Sequence, residues 1–195
     1  MTEHDENLRV YLAKPDLTTE AELCELAHAS EELHRPWAFP AKDHHEYLEF
    51  LRRVEIGRTI PFLVRKLGDD RICGVINLNE PVMGLFRSAY LGFYAAQESA
   101  GQGLISEGLC LVLDRAFSEL GFHRLEANIQ PGNQRSIAFV KRLGFRLEGY
   151  SPRYLLIDGD WRDHARWAML SEYWPTARHQ FFATRHGDGR QSQHG

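Results

Sequence analysis

Residues 91–105 read LGFYAAQESAGQGLI, and this stretch decides the fold. Apolar, β-prone residues form its first part, a polar turn with Gly101 and Gly103 follows, and an apolar stripe with helical spacing occupies residues 104–120. The first N–H groups of a helix lack internal partners and the helix dipole is positive there, while glycine lets the backbone approach a ligand closely. The stretch therefore predicts a strand, a turn and a long helix with an anion site that fits a pyrophosphate. Glycine pairs also occur in ordinary strand-to-helix turns, so the motif alone leaves both interpretations open.

Two helices are predicted ahead of this stretch. Thr19 with Glu22 forms a capping-box signature, and Asp43 with Glu46 repeats it, each before apolar residues at helical spacing. The segment between the two helices, residues 34–40 (HRPWAFP), contains two prolines and is predicted to be a loop.

Strands account for most of the remaining periodic sequence. Asp158 with Gly159 is typical of a tight hairpin turn, and a short helix is predicted from Asn133, its N-cap, to Gly144. The predicted strands are residues 8–12, 61–66, 72–78, 89–94, 124–130, 145–157 and 161–170. The element order β-α-α-β-β-β-α-β-α-β-β predicts an α+β fold, with helices packed on a mostly antiparallel sheet.

The C-terminal part is predicted to lack structure. Beyond Pro175 the periodicity is lost, and residues 184–195 are rich in Gly, His, Arg and Gln, which bury too little apolar surface to offset the entropy of ordering. We therefore assign residues 1–178 to one domain and residues 179–195 to a polar, disordered tail.

Composition excludes several classes of function. The chain has 195 residues, 43% of them apolar, which is enough for one domain, and a net charge of −4 without a basic stripe argues against nucleic-acid binding. Cys24, Cys73 and Cys110 lack metal-ligand spacing and indicate free thiols in a reducing compartment. No apolar run approaches the ~20 residues of a membrane span. We expect a soluble, cytoplasmic monomer or homodimer that binds no metal and no membrane.

Three segments together resemble a known family. The turn AGQGLI followed by SEGL is similar to the acetyl-CoA pyrophosphate loop of the GNAT acetyltransferases. Residues 126–150, EANIQPGNQRSIAFVKRLGFRLEGY, and residues 154–164, YLLIDGDWRDH, resemble the RimJ/RimL branch of that superfamily, the ribosomal-protein-alanine N-acetyltransferases. The resemblance implies the GNAT (acyl-CoA N-acyltransferase) fold, a mixed and mostly antiparallel sheet with helices on both faces.

The resemblance also implies acetyl-CoA as the acyl donor and coenzyme A as a product. The donor would lie in an opening between strands 89–94 and 124–130, with loop amides on its pyrophosphate. The implied cofactor-binding residues are Phe93, Tyr94, Gly101, Gln102, Gly103, Leu104, Ile105, Ser106, Asn128, Asn133, Phe139 and Arg142. Two departures from the family loop are Ala100, where Gln or Arg is usual, and Ile105, where a small residue is usual.

For catalysis, the resemblance implies direct attack of an amine on the thioester. Because residues 139–141 provide no tyrosine to protonate the leaving thiolate, Ser136 would donate that proton. The alternative role of Ser136 is to cap a helix start. Glu126 would accept the amine proton through water, or alternatively be a solvated strand residue. A backbone N–H on strand 89–94 would bind the thioester oxygen.

The acceptor implied by the resemblance is a protein N-terminal amine, that of a ribosomal protein in particular. Trp37, Asn77 and Tyr154 are the candidate substrate-binding residues, with packing of the loop onto the core as the alternative role for Trp37. Two other functions stay open: acetylation of a small-molecule amine or antibiotic, and a non-catalytic acyl-CoA-binding or ribosome-assembly module.

Overall fold

A computed structural model describes residues 8–187, with side chains described up to residue 185. The chain divides into two compact units at the bond between Leu125 and Glu126.

The unit of residues 8–125 is built on four strands in the order β1-β2-β3-β4, and each neighbouring pair is antiparallel. The strands are β1 (Val10–Ala13), β2 (Thr59–Lys66), β3 (Ile72–Val82) and β4 (Ser88–Ala95). The helices are α1 (Glu20–Ala29), α2 (Glu31–His34), α3 (His44–Glu55) and α4 (Leu104–Ser118).

Helices pack on both faces of this four-stranded part. Leu63 of β2 is fully buried in a cluster that includes Leu23 of α1 and Phe50 of α3. Its neighbour Val64 points to the opposite face, where a Cβ on Gly108 of α4 would lie 2.5 Å from the Val64 side chain. Adjacent strand residues thus separate α1 and α3 from α4, and the absence of a side chain at Gly108 lets α4 approach the strand.

The helix starts differ in part from the predicted capping boxes. The box formed by Asp16 and Thr19 caps a short 3-10 turn (Leu17–Thr19), and the Thr19 hydroxyl lies 2.8 Å from the hydroxyl of Tyr47. The predicted box of Thr19 with Glu22 is therefore wrong, because the Thr19 hydroxyl is already used in the other direction. Asp43 does cap α3, accepting the N–H of Glu46 at 2.9 Å.

The segment predicted as a loop over residues 34–40 begins one residue later than expected. His34 is the last residue of α2, and the chain from Arg35 to the start of α3 is irregular. The difference places a histidine on a helix end, next to the loop.

The second unit contains β5 (Arg124–Ile129), whose first two residues belong to the other unit, followed by α5 (Gln134–Arg142), β6 (Arg146–Ile157), β7 (Asp160–Leu170) and α6 (Trp174–Gly187). Its strand order is β5-β7-β6, and β6 pairs with β7 antiparallel. Asp158 and Gly159 both have positive φ, 52° and 81°, which confirms the predicted tight hairpin.

Helix α6 corrects the prediction that residues 179–195 form a disordered tail. The helix continues to Gly187, and Phe181 and Phe182 within it are buried. Gly144 is also close to the helix, because a Cβ there would lie 2.7 Å from Ala177. The prediction missed the helix because Phe181 and Phe182 lie in a segment of mostly polar composition. Residues 188–195 lie outside the described residues.

Candidate active site

The turn between β4 and α4 has the left-handed backbone that its glycines permit. Gly101 and Gly103 both have φ of 77°, and Gly103 is the N-cap residue of α4. A glycine has no side chain with which to cap the helix, so the amides of the first turn face no capping oxygen from that residue. Together with the positive end of the helix dipole, these amides form a backbone site for an anion.

An ion pair between the half-exposed Arg9 and the buried Glu107 holds this turn in place. Glu107, in the first turn of α4, is completely buried, and its carboxylate accepts hydrogen bonds from the backbone N–H of Arg9 at 2.7 Å and from its Nε at 2.8 Å. Nη2 of Arg9 lies 2.5 Å from the same carboxylate and also donates to the carbonyl of Gln102 at 2.8 Å. The chain just before β1 is thereby bound both to the turn and to the helix that follows it.

The side chains of Gln102 and Ile105 in this turn make contacts within the protein. The Gln102 amide donates back to the carbonyl of Glu98 at 2.6 Å, and the Gln102 backbone N–H lies 3.3 Å from the carbonyl of Ser99. Ile105 is buried, and its Cδ1 would lie 2.5 Å from a Cβ on Gly74 of β3. The bulk of Ile105 therefore occupies the space that Gly74 leaves, which explains how a large residue is accommodated at this position of the loop.

A cavity of about 370 Å³ lies in the same unit. It is bordered by α1, α3, the segment from α2 to α3 and strands β3 and β4, and its lining includes the aromatic residues Phe39, Tyr47, Phe50 and Tyr94. Asn77 lines the cavity as well, whereas Trp37 does not. Of the three predicted substrate-binding residues, Asn77 is thus the one in the cavity wall, and Phe39 takes the place expected for Trp37.

His34 is a member of the cavity wall that the sequence analysis did not select. Its Nε2 lies 2.8 Å from the carbonyl oxygen of Ala95, and its ring meets that of Tyr94 edge to face at 5.2 Å. Burial lowers the pKa of His34, although the bond to the Ala95 carbonyl opposes the shift. Burial raises the pKa of the Tyr94 hydroxyl, which therefore stays protonated near neutral pH.

In the second unit, Asn133 caps α5, and Ser136 lies in the first turn of that helix. Oδ1 of Asn133 accepts the backbone N–H of Ser136 at 3.1 Å. The capping role proposed for Asn133 is confirmed, whereas the alternative capping role of Ser136 is not what the helix uses. Its predicted part in proton transfer stays a prediction.

The other predicted residues of this unit are spread over β5 and α5. Glu126 and Asn128 lie on β5, Phe139 is half-buried on α5, and Arg142 is exposed in its last turn. Oδ1 of Asn128 is buried without a hydrogen-bond partner among the described residues. A buried acceptor of this kind is costly unless a ligand or water completes it.

Tyr154 contacts His164 rather than a cavity that the structure describes. The two rings meet edge to face at 6.0 Å, and the Nδ1 of His164 lies 2.9 Å from the carbonyl of Arg162. Asp163 accepts hydrogen bonds from the Tyr150 hydroxyl and the Arg153 backbone instead. Asp163 and His164 therefore make separate contacts, and the substrate role of Tyr154 stays a prediction.

Within the described residues, no group of three or more His, Cys, Asp or Glu side chains is arranged to hold a metal ion. Cys24, Cys73 and Cys110 are free thiols, two of them buried. Between residues 8 and 187, no helix has both the length and the apolar character needed to cross a membrane.

Comparison with known proteins places these features in context. The acetyltransferase (GNAT) domain family matches residues 9–146. The [ribosomal protein uS5]-alanine N-acetyltransferase of Escherichia coli is 40% identical over 110 residues, which are 56% of this chain and 57% of the enzyme. A probable N-acetyltransferase of Bacillus subtilis, YjcK, is 32% identical over 123 residues, 63% of this chain and 68% of that protein.

The fold also matches solved structures. The structure of Mycobacterium smegmatis RimJ in complex with CoA-disulfide superposes with a TM-score of 0.80 at 28% identity, covering 90% of this chain and 89% of that one. Ribosomal-protein-S5-alanine acetyltransferase from Vibrio fischeri has a TM-score of 0.72 at 20% identity, covering 85% of this chain and 95% of that one, a likeness of fold.

Proposed function

Because the chain belongs to the acetyltransferase (GNAT) domain family and is therefore an acyltransferase, we propose that it transfers an acetyl group from acetyl-CoA to the N-terminal α-amine of a protein. The predicted α+β GNAT fold is confirmed. A ribosomal protein is the proposed acceptor, and the cytoplasm is the proposed location of the reaction.

One observation carries the choice of acceptor. The 40% identity to an enzyme named for the alanine of ribosomal protein uS5 includes 56% of this chain. Because the match covers only 57% of that enzyme's length, the substrate of the relative is a guide to this chain and not a property of it.

Two features of the chain fit coenzyme A as the donor's carrier. The left-handed Gly103 begins α4 and leaves backbone amides for a diphosphate, and Oδ1 of Asn128 is a buried acceptor that an amide N–H of the pantetheine arm would satisfy. The proposed pyrophosphate contacts are the N–H groups of residues 103–105, since the N–H of Gln102 already faces the carbonyl of Ser99.

The thioester supplies an activated acetyl carbonyl, so the protein has to position the amine and manage charge and protons. A backbone N–H of β4 would stabilise the negative charge that develops on the carbonyl oxygen. Ser136 would donate a proton to the leaving sulfur, and Glu126 would accept one from the amine through water. Ser136→Ala and Glu126→Gln, assayed across pH, test these roles, and unchanged rates and profiles would remove them.

The direct test is incubation of the full chain with acetyl-CoA and peptides that begin with alanine, serine or another residue. Thiol release and mass spectrometry would report transfer and the position of the acetyl group. We expect acetylation of the α-amine with alanine preferred. If acetyl-CoA binds but no peptide or amine is acetylated, the proposed function is wrong.

A polyamine is the second candidate acceptor. Spermidine N(1)-acetyltransferase of Escherichia coli is 25% identical over 115 residues, 59% of this chain and 58% of that enzyme. Spermidine in the same assay separates the two candidates, because acetylation of spermidine without acetylation of any peptide supports the polyamine.

A further inference from the structure

Two residues in the wall of the cavity of about 370 Å³ each have a buried polar atom without a hydrogen-bond partner among the described residues. These are Nδ1 of His34 and Oδ1 of Asn77, and both residues lie in the cavity wall. Folding rarely leaves a buried polar atom unsatisfied, and such atoms at a cavity indicate a ligand that completes them.

The hydrogen bond of His34 determines what its free nitrogen can do. The carbonyl oxygen of Ala95 can only accept, so Nε2 of His34 carries the hydrogen of that bond. A neutral imidazole has one N–H, and Nδ1 is therefore the unprotonated nitrogen, with a lone pair available. The ring is held in this orientation by Ala95 on one side and by Tyr94 edge-on.

The second unsatisfied atom is also an acceptor. Asn77 lies on β3 directly opposite Gly92 of β4, on the sheet face that also carries Val75 and Tyr94. Gly92 has no side chain, and a Cβ there would lie 3.0 Å from Nδ2 of Asn79. His34 and Asn77 thus each bring one unsatisfied acceptor to the wall of the same cavity.

Charged groups around the cavity largely pair with each other. Glu31 binds Lys42 at 2.5 Å and lies 3.7 Å from Arg35, while Glu49 lies 3.2 Å from Arg52 outside the wall. The remaining ionisable groups of the wall are His45, Glu46, Arg53 and the hydroxyls of Tyr47 and Tyr94. The positive charge of Lys42 acts on His34 in the same direction as burial and disfavours its protonation.

A pair of acceptors in a pocket lined by aromatic and charged residues is complementary to a group with several N–H donors. We propose that this cavity binds the acceptor amine, that Asn77 orients it, and that Nδ1 of His34 removes its proton during acetyl transfer. The inference rests on the proposed function and identifies the site on which that function depends. It assigns to His34 the proton acceptance that the resemblance gave to Glu126.

The proposed step balances without a further reactant. The nitrogen lone pair attacks the thioester carbonyl carbon, the new C–N bond forms, and the C–S bond breaks to release the coenzyme A thiolate. The proton lost by nitrogen moves to Nδ1 of His34 and then to solvent, and the thiolate receives a proton in exchange. Ala95 lies on β4, the strand proposed to bind the carbonyl oxygen, so His34 is hydrogen-bonded to the strand on which the acetyl group would lie.

His34→Gln tests the proton transfer. Gln retains an amide N–H for the Ala95 carbonyl and lacks a titrating nitrogen, so the variant isolates the chemistry. With the best amine substrate, we expect kcat/KM to fall by about 100-fold or more and the inflection of the pH profile below the ordinary histidine pKa of 6.5 to disappear. The matched control is His44→Gln, because the His44 side chain is 68% exposed and lies outside the cavity wall. This variant should keep the wild-type kcat/KM and the inflection of the pH profile.

Binding of the amine is measured separately from turnover. Titration calorimetry of an alanine-initiated peptide into protein loaded with coenzyme A should show at least about 10-fold weaker binding for Asn77→Leu, the effect of one lost buried hydrogen bond. Circular dichroism and coenzyme A affinity of each variant should match the wild type, which excludes misfolding as the cause.

The outcomes distinguish the two levels of the argument. If the wild type transfers acetyl to an amine while His34→Gln keeps kcat/KM and pH profile, His34 is not the base and the inference is overturned. If Asn77→Leu binds the peptide as the wild type does, the cavity is not the amine site. If the wild type binds acetyl-CoA and acetylates no amine, the proposed function fails and this inference fails with it.

Discussion

The turn at residues 97–107 and the cavity at His34 and Asn77 use different parts of the chain. The turn exposes backbone amides, while the Gln102 side chain binds the Glu98 carbonyl and the Ile105 side chain fills the space beside Gly74. The cavity instead depends on two side-chain atoms, each on a different element. Recognition through backbone amides depends little on side-chain identity, whereas recognition through side chains depends on which residues line the cavity.

If the Arg9–Glu107 ion pair holds the turn, its removal should have the largest effect on stability. Glu107→Gln removes the negative charge that accepts the hydrogen bonds of Arg9. We expect a loss of about 2–3 kcal/mol in the free energy of unfolding. Urea denaturation measures it. Glu119→Gln, which breaks an exposed pair with Arg115, is the control and should change stability by under about 1 kcal/mol. Equal losses in the two variants would show that the Arg9–Glu107 pair has no special role.

A pair of glycines separates backbone strain from ligand binding. Gly101 and Gly57 have nearly the same φ, 77° and 75°, and a Cβ on either would meet no atom within 4 Å. Alanine at either position should therefore reduce stability by a similar amount, about 1–2 kcal/mol. Only Gly101→Ala should weaken the binding of acetyl-CoA, by about 10-fold in titration calorimetry, because Gly57 lies outside the turn. Equal coenzyme affinities in the two variants would contradict the backbone account.

Acid should destabilise the cavity region through His34. Its folded pKa is lowered by burial, so the unfolded chain binds more protons below the ordinary value of 6.5 and unfolding is favoured there. Stability should be fully present above that value and fall as the pH drops toward the folded pKa. His34 contributes at most about 1.4 kcal/mol per pH unit. Urea midpoints at pH 7.5 and 5.5 should show a smaller difference for His34→Gln than for the wild type and the control His44→Gln. An unchanged difference would contradict the assignment.

The smallest effect should distinguish Phe39 from Trp37. Phe39 lines the cavity and is partly exposed, while Trp37 is outside its wall. Phe39→Leu should raise KM for the acceptor about 3- to 5-fold, corresponding to a loss of about 1 kcal/mol of contact. Trp37→Leu should leave that KM within about twofold. The reverse result would return the acceptor role to Trp37.

The elements with local signals could be predicted, and the contacts between distant residues could not. The apolar stripe of α4, the hairpin at Asp158 and Gly159, and the cap at Asn133 each depend on neighbouring residues, and the structure has all three. The C-terminal helix was missed because two buried phenylalanines lie within a polar segment.

The same distinction holds for the site. The turn could be predicted from Gly101 and Gly103 because backbone flexibility is a local property. The ion pair that holds the turn joins Arg9 to Glu107, which are 98 positions apart in the sequence. His34 lies next to a segment with two prolines, and no sequence pattern predicts its hydrogen bond with Ala95, which is 61 residues away. A buried histidine in such a loop could be recognised only from the space around it.

The central claim is that the amides opening α4 hold the diphosphate of coenzyme A, and a crystal structure with coenzyme A bound tests it most directly. The account predicts pyrophosphate oxygens within hydrogen-bonding distance, about 2.7–3.2 Å, of the backbone N–H groups of residues 103–105. Coenzyme bound elsewhere on the protein, with those N–H groups facing only solvent, would contradict it.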